Sequence, residues 1–271
     1  MLVEDLMKED FRFKIEKFSL KDSLYCGQCF RFKEIKENLF LVFSKFNSAY
    51  IEQKESELIF YNSSCDENFW KKYFNFDVDY EKLYNGFKGD LILEKLIKIF
   101  RGIRILKQDP FETLISFIFS INNNIARIQK MIEILCENFG NKNKNGYSFP
   151  SLSELVKYKK EDFSILKAGF RLNYFMDAIL KLSSNLVDLE KLNSLSFKEA
   201  KEKLKIIKGV GEKVSSCVLL FAYNNMTAFP IDVWIKKVLE EYYYDGLNSQ
   251  ILTCPGLAQQ LLFYGKRKGY I

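Results

Sequence analysis

The sequence predicts an α+β fold, with an antiparallel β-sheet domain at the front of the chain packed on an all-α bundle behind it. Three observations carry this reading. Residues 10–65 alternate apolar and polar side chains in strand fashion. From Asp66 onward the apolar period becomes helical. Near the C-terminal third, two helices flank a tight glycine turn, Lys208-Gly209-Val210-Gly211.

The front strands are read from Phe11, Phe13 and Ile15, then Phe30 and Phe32, then Leu39, Leu41 and Phe43. Asn47-Ser48 and Gln53 to Ser56 separate later strands around Tyr50-Ile51 and Leu58 to Tyr61. Cys26 and Cys29 fall in a stretch that also reads as strand. Asp109-Pro110 is an N-cap followed by proline at the first helical position, with Phe111, Leu114, Ile115 and Ile118 as the buried face. A second helix places Ile125, Ile128, Met131, Ile132, Leu135, Cys136 and Phe139 on one stripe and stops at Gly140. Asn141 to Gly146 reads as a polar loop. Helices around 153–158, 161–167, 174–184 and 197–206 complete the bundle. The expected division is 1–105 for the sheet domain with flanking helices and 106–271 for the helical domain, with the hairpin at 197–222 and a site in the cleft between them.

Composition bounds the chemistry. The chain has 271 residues, 48% apolar and 28% charged, which is globular. Its net charge of +6 is compatible with nucleic acid without demonstrating it. Histidine is absent, which excludes Ser-His-Asp triads, histidine–metal sites and histidine acid–base pairs. Any catalyst must therefore be Lys, Asp, Glu, Cys, Tyr or Ser. The six cysteines are scattered. The isolated Cys26-x-x-Cys29 pair lacks the partners of a zinc site, and core or pocket thiols are the better reading. The acidic start Val3–Leu6 has no apolar signal core, and no run is long enough to cross a bilayer. A reduced, cytoplasmic setting is expected.

The chemistry concentrates between Phe197 and Val238. Both hairpin glycines are expected to allow positive φ and close approach of another backbone. The helix after them points free N–H groups forward, which suits a phosphate. Lys213 and Cys217 are four residues apart and share a helical face. Asp232, after Pro230, is placed to start the helix from Val233 to Glu240 or to serve a site.

This hairpin, with its Lys and downstream Asp, resembles the helix-hairpin-helix superfamily of DNA base-excision glycosylases. Three further segments resemble the eukaryotic-type 8-oxoguanine DNA glycosylases: Gly27-Gln28-Cys29-Phe30-Arg31, Ser120-Ile121-Asn122-Asn123-Asn124-Ile125-Ala126-Arg127, and Gly256 to Phe263. With the hairpin they stand in the family's order across nearly the whole chain. The four-cysteine cluster that many superfamily members use to hold iron and sulfur has no counterpart here.

What the resemblance implies can be set beside each residue's chemistry. The partner is double-stranded DNA containing 8-oxoguanine, the damaged base is flipped into a pocket, and the protein acts as a monomer without a membrane. Asn122 would fill the vacated space, with Asn123 and Asn124 in the same DNA-facing corner. Read without the family, this corner is a helix cap with one buried Asn. Arg127 would read the orphaned cytosine, which suits its forked donors. Phe170 replaces a tyrosine wedge and keeps the apolar part of that role, and Arg171 beside it would also face the DNA. Gly209, Gly211 and Val214 would meet the DNA, as would Trp234, which stands where the family has histidine and cannot carry charge. Gln259 would bond the guanine pairing edge, with Phe263 and Cys217 stacking on the two faces of the base. Gly27 would offer its carbonyl to the N–H that 8-oxoguanine has and guanine lacks.

Lys213 would attack the anomeric carbon and form a Schiff base, with Asp232 stabilising positive charge on the sugar. No metal or redox cofactor is needed, although family likeness allows a cation held by hairpin carbonyls. Two alternatives stand beside this reading: a lyase-glycosylase for oxidised pyrimidines, and a non-catalytic DNA-binding protein built on the same hairpin.

Overall fold

The computed structural model describes residues 8–271; the acidic start Val3–Leu6 lies outside them. Five strands form one antiparallel sheet: β1 (Glu9–Lys14), β2 (Phe32–Lys36), β3 (Leu39–Ser44), β4 (Asn47–Lys54) and β5 (Glu57–Tyr61). Their spatial order is β1-β5-β4-β3-β2. Consecutive hairpins build most of it, and β1 closes the edge by pairing with β5. The turns use residues in the left-handed region, Asn38, Lys45 and Glu55. The β3–β4 turn thus falls at Lys45-Phe46, ahead of the expected Asn47-Ser48, which begin β4 instead. A long-range contact decides this: the Glu112 carboxylate accepts the Lys45 N–H at 2.6 Å.

The segment expected to continue as strand before Phe30 is helix α1 (Leu20–Tyr25) followed by a turn through Cys26 and Gly27. Ser19 caps it by accepting the Asp22 N–H. Six residues are too few to show a helical apolar period, and Leu20 and Leu24 are buried beneath the sheet. There they join Phe18, Phe40, Phe60, Trp70 and Phe74 in the smaller of two cores.

Helices α2 (Glu67–Tyr73), α3 (Tyr80–Asn85) and α4 (Leu91–Phe100) follow, each opened by an aspartate whose carboxylate accepts a first-turn N–H. The side chains of Tyr80, Leu93, Leu96 and Phe100 pack into the larger, helical core, although they precede residue 105. The remaining α-helices among the described residues are α5 (Pro110–Phe119), α6 (Ile125–Phe139), α7 (Leu152–Leu155), α8 (Arg171–Ser183), α9 (Phe197–Lys205), α10 (Glu212–Tyr223), α11 (Val233–Tyr242) and α12 (Pro255–Arg267), and the helix expected at 161–167 is a 3-10 helix, Lys160–Leu166.

Asp109 caps α5 with Pro110 in its first turn, as the sequence predicts. The helix is not one-faced, however. Every residue from Glu112 to Phe119 is buried, because α6, α8 and α10 all pack on it. Its one buried carboxylate, Glu112, pairs with buried Arg31 at 3.1 Å. Arg31 also donates to the carbonyls of Lys45 and Tyr147, so it ties the sheet to the bundle. Gly140 ends α6, but with an ordinary negative φ. What demands glycine there is the Ser148 backbone, which leaves no room for a Cβ. The expected polar loop after it is a small hairpin, Lys142–Asn143 with Gly146–Tyr147.

Candidate active site

The hairpin is anchored from below by Ile207 and Val210, which are both buried. Gly209 has φ +82 and lies so close to the Tyr174 ring that any Cβ would collide with it. Gly211 corrects the expectation of two positive-φ glycines. It is extended, φ −99, and caps α10 with no side chain of its own. Nothing lies within 4 Å of where its Cβ would be, so the first turn of α10 is open in front. The Val214 side chain is buried, leaving its first-turn N–H as the group it can offer outward. Asp177, which the sequence did not single out, accepts the Lys208 N–H at 2.6 Å and pairs with Lys181 at 2.8 Å. It fixes the approach to the turn.

Lys213 points across to α5. Its Nζ donates to Ser120 Oγ at 3.2 Å and lies 4.8 Å from the centre of the Phe117 ring. Ser120 is the C-cap of α5, immediately before the asparagine corner. One turn beyond Lys213, Cys217 is buried, and desolvation pushes its thiol up to about 11 against the opposing pull of the Lys213 charge. A neutral, polarizable thiol is a stacking surface and not a nucleophile. The Asp232 charge also acts on this thiol, which puts lysine, thiol and carboxylate in one electrostatic neighbourhood. Asp232 caps α11 through Oδ1, which accepts the N–H groups of Trp234 and Ile235 at 3.0 and 2.9 Å. Capping holds the carboxylate in a fixed pose. Trp234, on the first turn of α11, is exposed, with Lys237 Nζ 5.3 Å from its ring centre.

The three asparagines have separate tasks. Asn122 is exposed with φ +47. Asn123 turns inward, donating to the Phe119 carbonyl and accepting the Asn124 N–H, each at 3.0 Å. Asn124 caps α6 by accepting the Arg127 N–H at 3.0 Å. Both side chains therefore build the corner, and only Asn122 carries its amide outward unspent on these bonds.

Arg171 corrects the expectation of a DNA-facing side chain. It is buried, with Nε donating to Ile121 O at 2.5 Å, Nη1 to Ala168 O at 3.3 Å and Nη2 to Asn122 O. Its guanidinium fastens the Phe170 loop to the asparagine corner. Phe170 itself is a loop tip, 46% exposed, resting edge-on against Tyr174. Arg127 is exposed and reaches the same loop, donating to Lys167 O at 3.2 Å. Asn122, Arg127 and Phe170 thus come from two segments fastened at one place.

The fourth group forms where the α1 turn meets α12. Gly27 has φ +84, and a Cβ there would come within 2.9 Å of Phe263 Cε1. Two glutamines that the sequence left without a task hold the turn. Buried Gln28 donates to the carbonyls of Ser23 and Arg104 and accepts the Leu106 N–H. Gln260 donates to the Cys26 carbonyl at 2.5 Å. Gln259, on the neighbouring face of α12, is 5% exposed, and its Oε1 is buried without a hydrogen-bond partner. An acceptor left unmatched in this way is costly, and a ligand donor would relieve it. A separate cleft of about 440 Å³ opens between the sheet and α6, lined by Phe30, Phe32 and Phe43, and includes neither Lys213 nor Asp232.

The comparisons agree with this geometry. Residues 10–114 match the model of the 8-oxoguanine DNA glycosylase N-terminal domain. An N-glycosylase/DNA lyase of Saccharomyces cerevisiae is 35% identical over 67% of this chain, which spans about half (52%) of that relative's length. A probable N-glycosylase/DNA lyase of Methanothermobacter thermautotrophicus is 30% identical over 73% of this chain and 70% of its own. The crystal structure of the Clostridium acetobutylicum 8-oxoguanine glycosylase/lyase, in complex with double-stranded DNA containing cytosine opposite 8-oxoguanine, superposes with a TM-score of 0.87 at 32% identity, covering 98% of this chain and 99% of that one. Such agreement over nearly the full length, at this identity, goes beyond a shared fold, and the chain belongs to the 8-oxoguanine DNA glycosylase/lyase family of the helix-hairpin-helix superfamily.

Proposed function

We propose that this protein flips 8-oxoguanine out of duplex DNA, excises it in preference opposite cytosine, and cleaves the resulting site through a Schiff base on Lys213. What supports this reading is the state of two groups of side chains. Lys213 is held by Ser120 above a buried neutral thiol, and the unpartnered Gln259 acceptor stands on the helix whose Phe263 covers Gly27.

In this mechanism the open first turn of α10 grips a phosphate through its backbone N–H groups. Asn122 and Phe170 occupy the gap left by the flipped base, and Arg127 donates to the orphaned cytosine. The base lies between Cys217 and Phe263, with its pairing edge at Gln259 and its N7–H at the Gly27 carbonyl. The Lys213 amine attacks C1′, and the base leaves with the glycosidic electron pair and takes up a proton. Asp232 stabilises the positive charge on the sugar as that bond breaks. Ring opening releases O4′ as a hydroxyl and leaves an iminium between C1′ and Nζ. Loss of a C2′ proton then expels the 3′ phosphate by β-elimination, and water later frees the lysine.

The test is single-turnover base release from duplexes carrying 8-oxoguanine or an oxidised pyrimidine opposite each of the four bases, with borohydride trapping in parallel. Release of 8-oxoguanine, fastest opposite cytosine, with a covalent adduct is the expected result. Preference for the pyrimidine lesion would move the protein to a different lesion class. Binding without release or adduct would make it a non-catalytic DNA-binding protein.

A further inference from the structure

Gln259 and Phe263 are the first two members of a stripe whose third is Arg267, at positions i, i+4 and i+8 of α12. Arg267 lies over the Phe263 ring, its guanidinium carbon 5.7 Å from the centroid. Its Nη2 donates to the Tyr25 carbonyl at 3.2 Å, at the end of α1. Its Nη1 is buried and has no hydrogen-bond partner. That atom stands beside Gly27, 3.2 Å from where a Cβ would be. Among the described residues no carboxylate within ion-pair distance neutralises this guanidinium. One face of α12 therefore presents an unmatched acceptor at Gln259, an aromatic ring at Phe263 and an unmatched charged donor at Arg267. A buried charged N–H left without an acceptor is among the more costly features a protein can carry.

We infer that Arg267 is a lesion-reading residue whose Nη1 donates to the C8 oxygen of the flipped base. The inference rests on the proposed reading of this site as an 8-oxoguanine pocket and deepens it. The oxidised edge of 8-oxoguanine presents two adjacent groups, a donor at N7–H and an acceptor at O8. The Gly27 turn and Arg267 present the matching pair, a backbone carbonyl and a guanidinium N–H, side by side. A base stacked on Phe263 with its N7 edge at the Gly27 turn comes to lie with O8 against Nη1, which stands beside that turn. Undamaged guanine offers a lone pair at N7 and a C–H at C8, so it mismatches both groups at once. Gln259, at the other end of the stripe, meets the pairing edge, which the two bases share.

The experiment compares two bases that share N7–H and differ in the C8 acceptor: 8-oxoguanine and 8-thioxoguanine, whose sulfur is a weak acceptor. Single-turnover release opposite cytosine is measured for the wild-type protein and Arg267→Met. Schiff-base trapping on a pre-formed abasic site, where no base occupies the slot, reports that each protein is folded. The expected result is that wild type favours the oxygen base and that Arg267→Met loses about ten- to a hundred-fold on it, as for a charged hydrogen bond removed. The sulfur base loses little, so the preference collapses. Equal loss on both bases would make Arg267 a structural support of the Gly27 turn and overturn the inference. If Arg267→Met does not fold, Arg267→Gln, whose shorter amide reaches neither Tyr25 nor the slot, is measured in the same way against the same two outcomes. Failure of wild type to release 8-oxoguanine, with abasic-site trapping intact, would instead remove the pocket reading on which the inference stands.

Discussion

The Gly209 hairpin and the Gly27 turn are both glycine corners with positive φ, yet they are made differently. The hairpin is assembled mainly from neighbours in sequence: Ile207 and Val210 anchor it, α9 and α10 frame it within one short stretch, and α8 adds Tyr174 and Asp177 from outside. The Gly27 turn depends on residues from far along the chain, with Arg104 and Leu106 bonded through Gln28, and Gln260 and Phe263 contributed by the last helix. The hairpin leaves empty space in front of Gly211, whereas the turn is covered by an aromatic ring. A surface that meets a phosphate backbone needs only exposed N–H groups. A surface that discriminates between bases must be closed and fully specified by packing.

The two corners should therefore fail in different ways. The largest effect is expected at the lysine that the hairpin presents. Lys213→Gln should reduce both base release and borohydride adduct by roughly four orders of magnitude or more, as for loss of a nucleophile. An adduct of wild-type yield in that variant would mean another amine does the work. Gly27→Ala should reduce 8-oxoguanine release by about a hundred-fold, from steric conflict with Phe263 and a strained backbone. Cleavage of a pre-formed abasic site should fall far less. If both activities drop together, the turn supports the whole site and not the base alone.

Within the hairpin, the two glycines should separate by mechanism. Gly209→Ala should cost about 1–3 kcal/mol of folding stability, measured by urea unfolding, because its φ and the Tyr174 ring both oppose a Cβ. Gly211→Ala should cost about 1 kcal/mol or less, the ordinary penalty of alanine at an N-cap, and appear mainly as weaker DNA binding. Equal destabilisation by the two would erase the distinction between a crowded and an open glycine. The smallest effects belong to the asparagine corner. Asn124→Ala should lose about 1 kcal/mol as a helix cap, whereas Asn122→Gly, which keeps the left-handed backbone, should stay within about 0.5 kcal/mol of wild type. Thermal unfolding of the two variants checks this directly.

The same contrast explains which expectations held and which moved. The cap at Asp109, the glycine pair of the hairpin, and the helices after it are largely local in origin, and nearby residues carry their signal. Helix α1 gives no helical signal in the sequence, because six residues cannot show a helical period and its burial is imposed by the sheet above it. The burial of Arg171 has no local signal, because the carbonyls of Ile121 and Asn122 that bind it come from another segment. Gln28, Gln260, Asp177 and Ser120 gave no signal as isolated polar residues, since each acts through a partner distant in sequence.

By itself, the sequence determined the order of sheet and bundle, the glycine hairpin with Lys213 and Asp232, and the exclusion of every histidine-based chemistry. These follow from periodicity, capping and composition, which are properties of short windows or of counts. Only the tertiary structure decided that Gly209 is crowded and Gly211 open, that two of three asparagines spend their side chains on building the corner, and that Gln259 and Arg267 each keep a buried polar atom unmatched beside Phe263 and Gly27. Whether a polar atom is satisfied depends on every group that packs around it, and those groups arrive from both ends of the chain.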